Sequence, residues 1–360
     1  MPQLKFLEKV VNKFVLSSKK VSDKKIPNIN TPKRILIIRQ HNQFGDLLAT
    51  TPLFRGLREC YPNVEISIVV SPQNFYAITQ NEYIDREFIF DKKRLFNKKY
   101  RSELMKFLRH NYEIVIVPVT VAISNTSCVL AAFSDAKIRI GPNSLEGEIN
   151  PLRKLFHFPI DLNWSVTPDR HVSDFGQDIL KPLGASTDNL KANVNSSEAD
   201  KSEVGKFLDS LNLSNNTKLV GFHIGAGKPP NRWDMKNFVK LIELINHEFN
   251  CVYYFTGSQA DSDQFIELKS LIDFEPNLFV DRSIPELAAL IEKSKLFITN
   301  DTGVMHVAGA TSTNQISLFG PTNPKNWGPV GENKINIKLT DNINDISVEE
   351  VIPFVRKFLK

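Results

Sequence analysis

From residue 34 onward, short β-branched apolar runs alternate with longer stretches whose apolar residues recur at helical spacing. Residues 34–38, 64–70, 87–90, 113–119 and 137–140 predict strands, with helices between them. Strands alternating with helices imply a parallel sheet covered on both faces. A polar stretch rich in Ser, Asn, Asp and Lys breaks the pattern at residues 185–203, after which strands are predicted again at 218–223, 251–255, 278–280, 296–299 and 315–319. A last amphipathic helix over about 347–359 is expected to pack back across the first domain. The pattern divides the chain into a segment and linker (1–33), a first Rossmann-like domain (34–190), a second (200–340) and a C-terminal helix (341–360). No repeat of 20 to 50 residues is visible, which excludes a solenoid.

Length agrees with two domains, since 360 residues exceed what one compact core usually holds. Hydrophobic residues at 41% and charged ones at 24% are ordinary globular values and argue against a disordered, fibrous or integral-membrane chain. Cys60, Cys128 and Cys251 lie far apart, fit neither a disulfide framework nor a C-x-x-C pair, and suit a reducing cytoplasm.

Charge changes the picture at one end. The net +5 conceals nine Lys/Arg against Glu8 and Asp23 in residues 1–34, a local +7 that leaves −2 for the remainder. Beyond residue 34 no basic patch is read as interleaved with aromatics, so nucleic acid is not an expected partner. Leu4, Leu7, Val11, Phe14 and Val15 share a helical stripe flanked by Lys5, Lys9 and Lys13. Charges interrupt it too often for a secretion signal. Two readings stay open: a helix packed on the body, or a peripheral anchor on anionic lipid through residues 1–34. Residues 17–33 read as a linker.

Ligands of open α/β sheets bind beyond the carboxyl ends of strands. The first such loop runs from Arg39 through Gly45 and Asp46 to Pro52. Gly45 permits a tight turn, and Asp46 either N-caps the next helix or projects a carboxylate into the crevice. The second contains His223, Gly225, Gly227, Lys228, Arg232 and Trp233. Its glycines let backbone amides approach an anion, while Lys228 and Arg232 add positive charge, a combination suited to a diphosphate. It is neither a Walker loop nor a G-x-G-x-x-G fingerprint. The third, Asn300-Asp301-Thr302-Gly303, opens a helix carrying His306 one turn in, where it meets a phosphate or is a hydrogen-bonded core histidine. Leu318-Phe319-Gly320-Pro321-Thr322 makes a further strand-end turn.

These loops, over about residues 33–330, resemble the heptosyltransferase family of bacterial glycosyltransferases. That family shows a Gly-Asp opening the first helix, then H-x-G-x-G, Asp-Ser/Thr-Gly-x-x-His and Leu-Phe-Gly-Pro-Thr runs. The resemblance implies a GT-B fold, α/β with two Rossmann-like parallel-sheet domains facing across a cleft. It implies an inverting, metal-independent glycosyltransferase with no cofactor, an ADP-heptose donor, and a lipid-linked saccharide acceptor in the lipopolysaccharide inner core. The expected place is cytoplasmic, peripheral at the inner membrane. By position Asp46 resembles the catalytic base, Arg232 the basic residue on the donor diphosphate, and Asp301, Thr302, Gly303 and His306 donor-site residues. Where the family shows Gly followed by a ribose-binding Glu, this chain reads Gly257-Ser-Gln259-Ala-Asp261.

Two clusters are read as structural. Asp261-Ser-Asp263 spells D-x-D but falls at a helix start, where carboxylates are favourable without a metal. Asp169-Arg170-His171-Val-Ser-Asp174 precedes a helix and reads as capping or packing. The rival functions are a nucleotide-sugar 2-epimerase on the same architecture, which needs further acidic residues around the sugar, and a non-catalytic nucleotide-sugar-binding module, which has no need of Asp46.

Overall fold

The computed structural model describes residues 14–21, 31–40 and 43–360. Its contacts divide into two units, one of Met1–Phe75 with Glu82–Leu190 and one of Tyr76–Asn81 with Lys191–Lys360.

In the first unit the strands are β1 (Arg34–Ile38), β2 (Glu65–Val70), β3 (Arg86–Ile89), β4 (Ile114–Ile116), β5 (Ile138–Leu145), β6 (Glu148–Ile149) and β7 (Phe158–Leu162). Their order is β3-β2-β1-β4-β5-β6, with β7 also pairing with β5. Only the β5–β6 pairing is antiparallel among the described residues. Ile35, Leu36, Ile37 and Ile38 of β1 are fully buried, as expected of a central strand covered on both faces. Helices α1 (Phe44–Leu48), α2 (Thr51–Cys60), α3 (Lys98–Leu108) and α4 (Asn125–Phe133) connect them.

Residues 14–19 are helical and lie on this unit. Val15 is 1% exposed in a core that includes Leu36, Phe90, Phe107 and Phe156. Arg139 donates to the Lys19 carbonyl at 2.8 Å, and the Val21 amide donates to the Lys154 carbonyl at 3.0 Å. Of the two readings of the N-terminal stripe, packing on the body holds for this stretch. Leu4, Leu7 and Val11 lie outside the described residues.

The second unit is a parallel sheet of β8 (Lys218–His223), β9 (Cys251–Gly257), β10 (Asn277–Val280), β11 (Leu296–Asn300), β12 (Asn314–Leu318) and β13 (Lys334–Ile337), ordered β10-β9-β8-β11-β12-β13. Helices α5 (Glu198–Ser210), α6 (Met235–Glu248), α7 (Ser262–Leu271), α8 (Ile284–Glu292), α9 (Gly303–Ala310) and α10 (Val348–Leu359) accompany it. Ser347 and Glu350 form a capping box at the start of α10. The expectation that this helix packs on the first domain is corrected: Val348, Val351, Ile352, Val355 and Leu359 belong to the core that α6 and β8 share. Lys218 Nζ donates to the Leu359 carbonyl, fixing the helix end to β8. The stripe is captured locally because each such side chain gains about 1.5–3 kcal/mol by burial against the nearest apolar face.

A second correction concerns charge. Residues 92–101 interleave Lys92, Lys93, Arg94, Lys98, Lys99 and Arg101 with Phe96 and Tyr100, a basic–aromatic patch beyond residue 34.

Candidate functional site

In the second unit the chain builds outward from β8 to β9 and β10, then returns to the other side of β8 as β11. Strand order reverses between β8 and β11, so the loops leaving these neighbours flank the crevice where open α/β sheets take ligands. Asn231 Nδ2 donates to Asp301 Oδ2 at 2.9 Å and to the Asp301 carbonyl at 3.1 Å. Asn300 Nδ2 donates to the Ile224 carbonyl at 2.9 Å, and its Oδ1 accepts from the Trp233 amide at 3.2 Å. The loop after β12 joins them, since a Cβ on Gly320 would come within 2.8 Å of the Pro230 carbonyl.

His223 ends β8 and is 6% exposed. Its Nδ1 lies 3.0 Å from the Thr256 carbonyl, which can only accept, so Nδ1 carries the proton. Burial pushes the imidazole below its ordinary value, opposed by the charge of Asp261. Asp261 Oδ2 accepts from the amide and hydroxyl of Ser258 at 2.9 and 3.0 Å in a capping box, and a Cβ on Gly225 would meet Asp261 Oδ1 at 2.1 Å. Gly225 is therefore glycine so that this carboxylate can approach the loop. Gly257 likewise makes room for the Phe265 ring, 2.5 Å from where its Cβ would sit. Gly227 differs, because a Cβ there would meet nothing within 4 Å and its backbone is not left-handed.

Arg232 folds back over the loop, its Nε donating to the Ala226 carbonyl at 2.8 Å, which leaves the two terminal nitrogens without a protein partner among the described residues. Lys228 is exposed, close enough to act on Asp301. Burial pushes the Asp301 carboxyl up, partly offset by a hydrogen bond from Thr322 and by Lys228. Thr302 takes the N-cap position of α9, yet its hydroxyl is buried with no hydrogen-bond partner among the described residues. Gly303 begins the helix, and His306, 9% exposed, sets its ring edge-on to Trp327 at 6.2 Å. At the far end of α9, Lys334 of β13 is 6% exposed and donates to the carbonyls of Ala308, Thr311 and Thr313 at 3.0, 3.0 and 2.7 Å. Burial pushes its ammonium down to about 7.

Asp46 belongs to the first unit, on α1, which follows the loop after β1. The N-cap of α1 is Gln43, and Asp46 lies inside the first turn, so the reading of Asp46 as N-cap is corrected. Its side chain is turned inward instead. Asp46 Oδ2 lies 3.9 Å from Arg39 Nη2, with 7% and 3% of the two side chains exposed. Arg39 Nη2 also donates to Thr120 Oγ1 at 2.6 Å, and Trp164 Nε1 donates to the Thr120 carbonyl at 2.9 Å. Thr120 follows β4, the neighbour of β1 across the order reversal of this sheet. Arg39 and Thr120 were not singled out from the sequence, although their strand-end positions were a usable signal.

In the two clusters read as structural, the described contacts are capping and pairing ones. Asp261 is committed to Ser258, and Asp263 lies in the first turn of α7, where a carboxylate complements the helix dipole. His171 caps a short helix by accepting from the Ser173 amide at 3.2 Å, while Arg170 pairs with Asp174 and Asp178.

A family model described as Glycosyltransferase family 9 (heptosyltransferase) matches residues 101–353. Lipopolysaccharide heptosyltransferase 3 of Escherichia coli is 26% identical over 302 residues, spanning 81% of this chain and 85% of its own. The crystal structure of the glycosyl transferase family 9 protein from Veillonella parvula shares the fold with a TM-score of 0.79 at 24% identity, covering 93% of this chain and 99% of that one. The E. coli heptosyltransferase WaaC with ADP gives a TM-score of 0.67 at 18% identity, covering 90% and 99%. With two parallel-sheet units of the GT-B type and a family match over most of its length, this chain belongs to glycosyltransferase family 9, the heptosyltransferases, and is a glycosyltransferase.

Proposed function

We propose that the protein moves a heptose from ADP-heptose to a hydroxyl of the lipopolysaccharide inner core, with inversion and without a metal. The observation that carries this reading is the Asn231–Asp301 link, which fixes the loops after β8 and β11 together at the order reversal of the second sheet. Relatives named for lipopolysaccharide heptose transfer, and a structural neighbour holding ADP, support the choice of substrates.

In this reading the acceptor oxygen forms a bond to the anomeric carbon as the bond from that carbon to the diphosphate oxygen breaks. One displacement inverts the centre. The acceptor proton goes to Asp46, and ADP leaves with its negative charge facing Arg232, Lys228 and the amides at Gly225, Gly227 and Gly303. Asp301, Thr302 and His306 line the same loops, and His223, Gly257 and Asp261 hold the loop after β9 against them. Arg232 and Lys228 supply the positive charge that a metal supplies in other transferases. The cytoplasmic face of the inner membrane is where a lipid-linked acceptor and a soluble nucleotide sugar meet.

Titration calorimetry of Arg232→Ala with ADP and with adenosine tests the donor site. A charge-assisted contact to the diphosphate contributes about 1.5–3 kcal/mol, so ADP should bind about 10- to 150-fold more weakly while adenosine barely changes. Equal losses for both ligands would remove Arg232 from the diphosphate.

A further inference from the structure

The turn after β3 presents a surface that the donor and acceptor chemistry leaves unused. Lys92–Phe96 forms a 3₁₀ turn, and α3 begins at Lys98. Phe96 is 93% exposed. Lys92, Lys93, Arg94, Lys98, Lys99 and Arg101 around it are all exposed, and none makes an ion pair among the described residues. The flanking carboxylates are Asp91, whose Oδ1 caps the Lys93 amide at 2.9 Å, and Glu103 on α3.

The turn is held in shape. Tyr100 is 2% exposed, its hydroxyl accepting from the Asp91 amide at 2.6 Å and donating to the Ile89 carbonyl at 3.1 Å. Asn97 Oδ1 caps α3 by accepting from the Tyr100 amide at 3.1 Å, and Arg101 donates to the Leu95 carbonyl at 2.7 Å. Phe96 thus stands out on a braced turn whose exposed basic side chains make no ion pair among the described residues.

We propose that this turn docks the protein on an anionic lipid surface, with Phe96 entering the headgroup region and the six basic side chains meeting lipid phosphates. Charge complementarity fixes the occupant. A membrane offers dense negative charge together with an apolar layer a single aromatic ring can reach. Single-stranded nucleic acid needs successive stacking rings, and the Tyr100 face is covered by Arg94 at 4.5 Å. A stable protein interface needs about 800 Å² per partner, far more than one side chain supplies.

Position gives the docking a use. Strands β1, β2 and β3 are parallel neighbours, so the turn after β3 leaves the same sheet edge as the loop that leads from β1 to α1 and Asp46. Two strand spacings, roughly 10 Å, separate the two exits across the sheet. A membrane held at this turn brings a lipid-linked acceptor to the edge where the proposed base lies. That service rests on the proposed activity, whereas docking is measured without it.

Co-sedimentation of the full chain with vesicles of phosphatidylglycerol and phosphatidylcholine, against phosphatidylcholine alone, reads the docking. The parent should bind only the anionic vesicles. Phe96→Ser should weaken binding about tenfold and leave a remainder that salt abolishes. Lys98→Gln with Lys99→Gln should cost about fivefold per residue. Unfolding midpoints should match the parent, since all three side chains are exposed. Transfer to a soluble core saccharide should be unchanged in the variants, and transfer to vesicle-embedded acceptor reduced. Variants that sediment like the parent would overturn the proposal and assign binding to another segment. Loss of affinity for a single-stranded oligonucleotide, in a parent that ignores vesicles, would overturn it in favour of nucleic acid. If the parent transfers to no acceptor, the activity reading fails while sedimentation still decides the docking.

Discussion

Arg39 and Asp46 face each other inside the first unit at 3.9 Å, with only 3% and 7% of their side chains exposed. Burial pushes the guanidinium below its ordinary value, and the Asp46 charge opposes that push. A carboxylate held this way is aimed by its neighbour, and removing it leaves a buried cation without its countercharge.

Asp46→Asn should therefore lower stability by about 3 kcal/mol, the cost of breaking a buried pair. Asp46→Asn with Arg39→Gln should recover part of that loss, because the double change removes both charges. Transfer should stay about 10²–10⁴-fold below the parent in both variants, since neither offers a proton acceptor. Chemical denaturation and initial-rate assays on the three proteins decide it. A stable double variant with near-parental transfer would show that Asp46 is not the base.

Two glycines of one loop should respond in opposite ways. Alanine at Gly225 collides with Asp261 and has to dislodge it from its capping box, so Gly225→Ala should destabilise by about 1 kcal/mol. In an Asp261→Ala background the same change should cost less. Gly227→Ala meets no protein atom and should keep or slightly raise the melting temperature, while ADP affinity falls at least tenfold through blocked access to the amide. Calorimetric ADP binding equal to the parent's would mean that the diphosphate does not lie over Gly227.

Acid should weaken the second unit through His223. Its folded-state pKa lies below the ordinary 6.5, so below that pH the unfolded chain binds a proton that the folded chain refuses. The stability is complete above the unfolded value and is lost as pH falls toward the folded one, at up to about 1.4 kcal/mol per pH unit. His157 is lowered in the same direction by burial and Arg139, so His223→Gln should flatten the pH dependence without abolishing it. Melting temperatures from pH 7 to pH 5 that fall as steeply in the variant as in the parent would exclude this role.

The central strands were legible because β1 and β8 are runs of apolar residues that sheet cores require. β7 and β13 were not, for β7 alternates in burial and carries Pro159, and β13 is a short edge strand. The loops of the candidate site were legible as glycine, carboxylate and cation at strand ends, but their reasons were not. Why Gly225 is glycine depends on Asp261, which arrives from the loop after β9, and the meaning of Arg39 depends on Thr120, 81 positions away. The basic–aromatic run at 92–101 was legible in the sequence and was passed over, whereas the exposure of Phe96 beside a buried Tyr100 is settled only by the fold. The destination of α10 was misjudged for a similar reason: its apolar stripe specifies burial without naming the face that provides it.

Lys334 turns one of these packing details into a chemical clock. Three carbonyls and the end of α9 enclose its Nζ, so an acylating reagent cannot reach the amine while β13 stays paired. Surface lysines should acylate at once, whereas Lys334 waits for β13 to part from β12. Its labelling rate, read by peptide mass, then counts the openings of that sheet edge in the native protein. Because an acylated Lys334 cannot return to its enclosure, each count is permanent and marks a molecule whose α9 has lost its anchor.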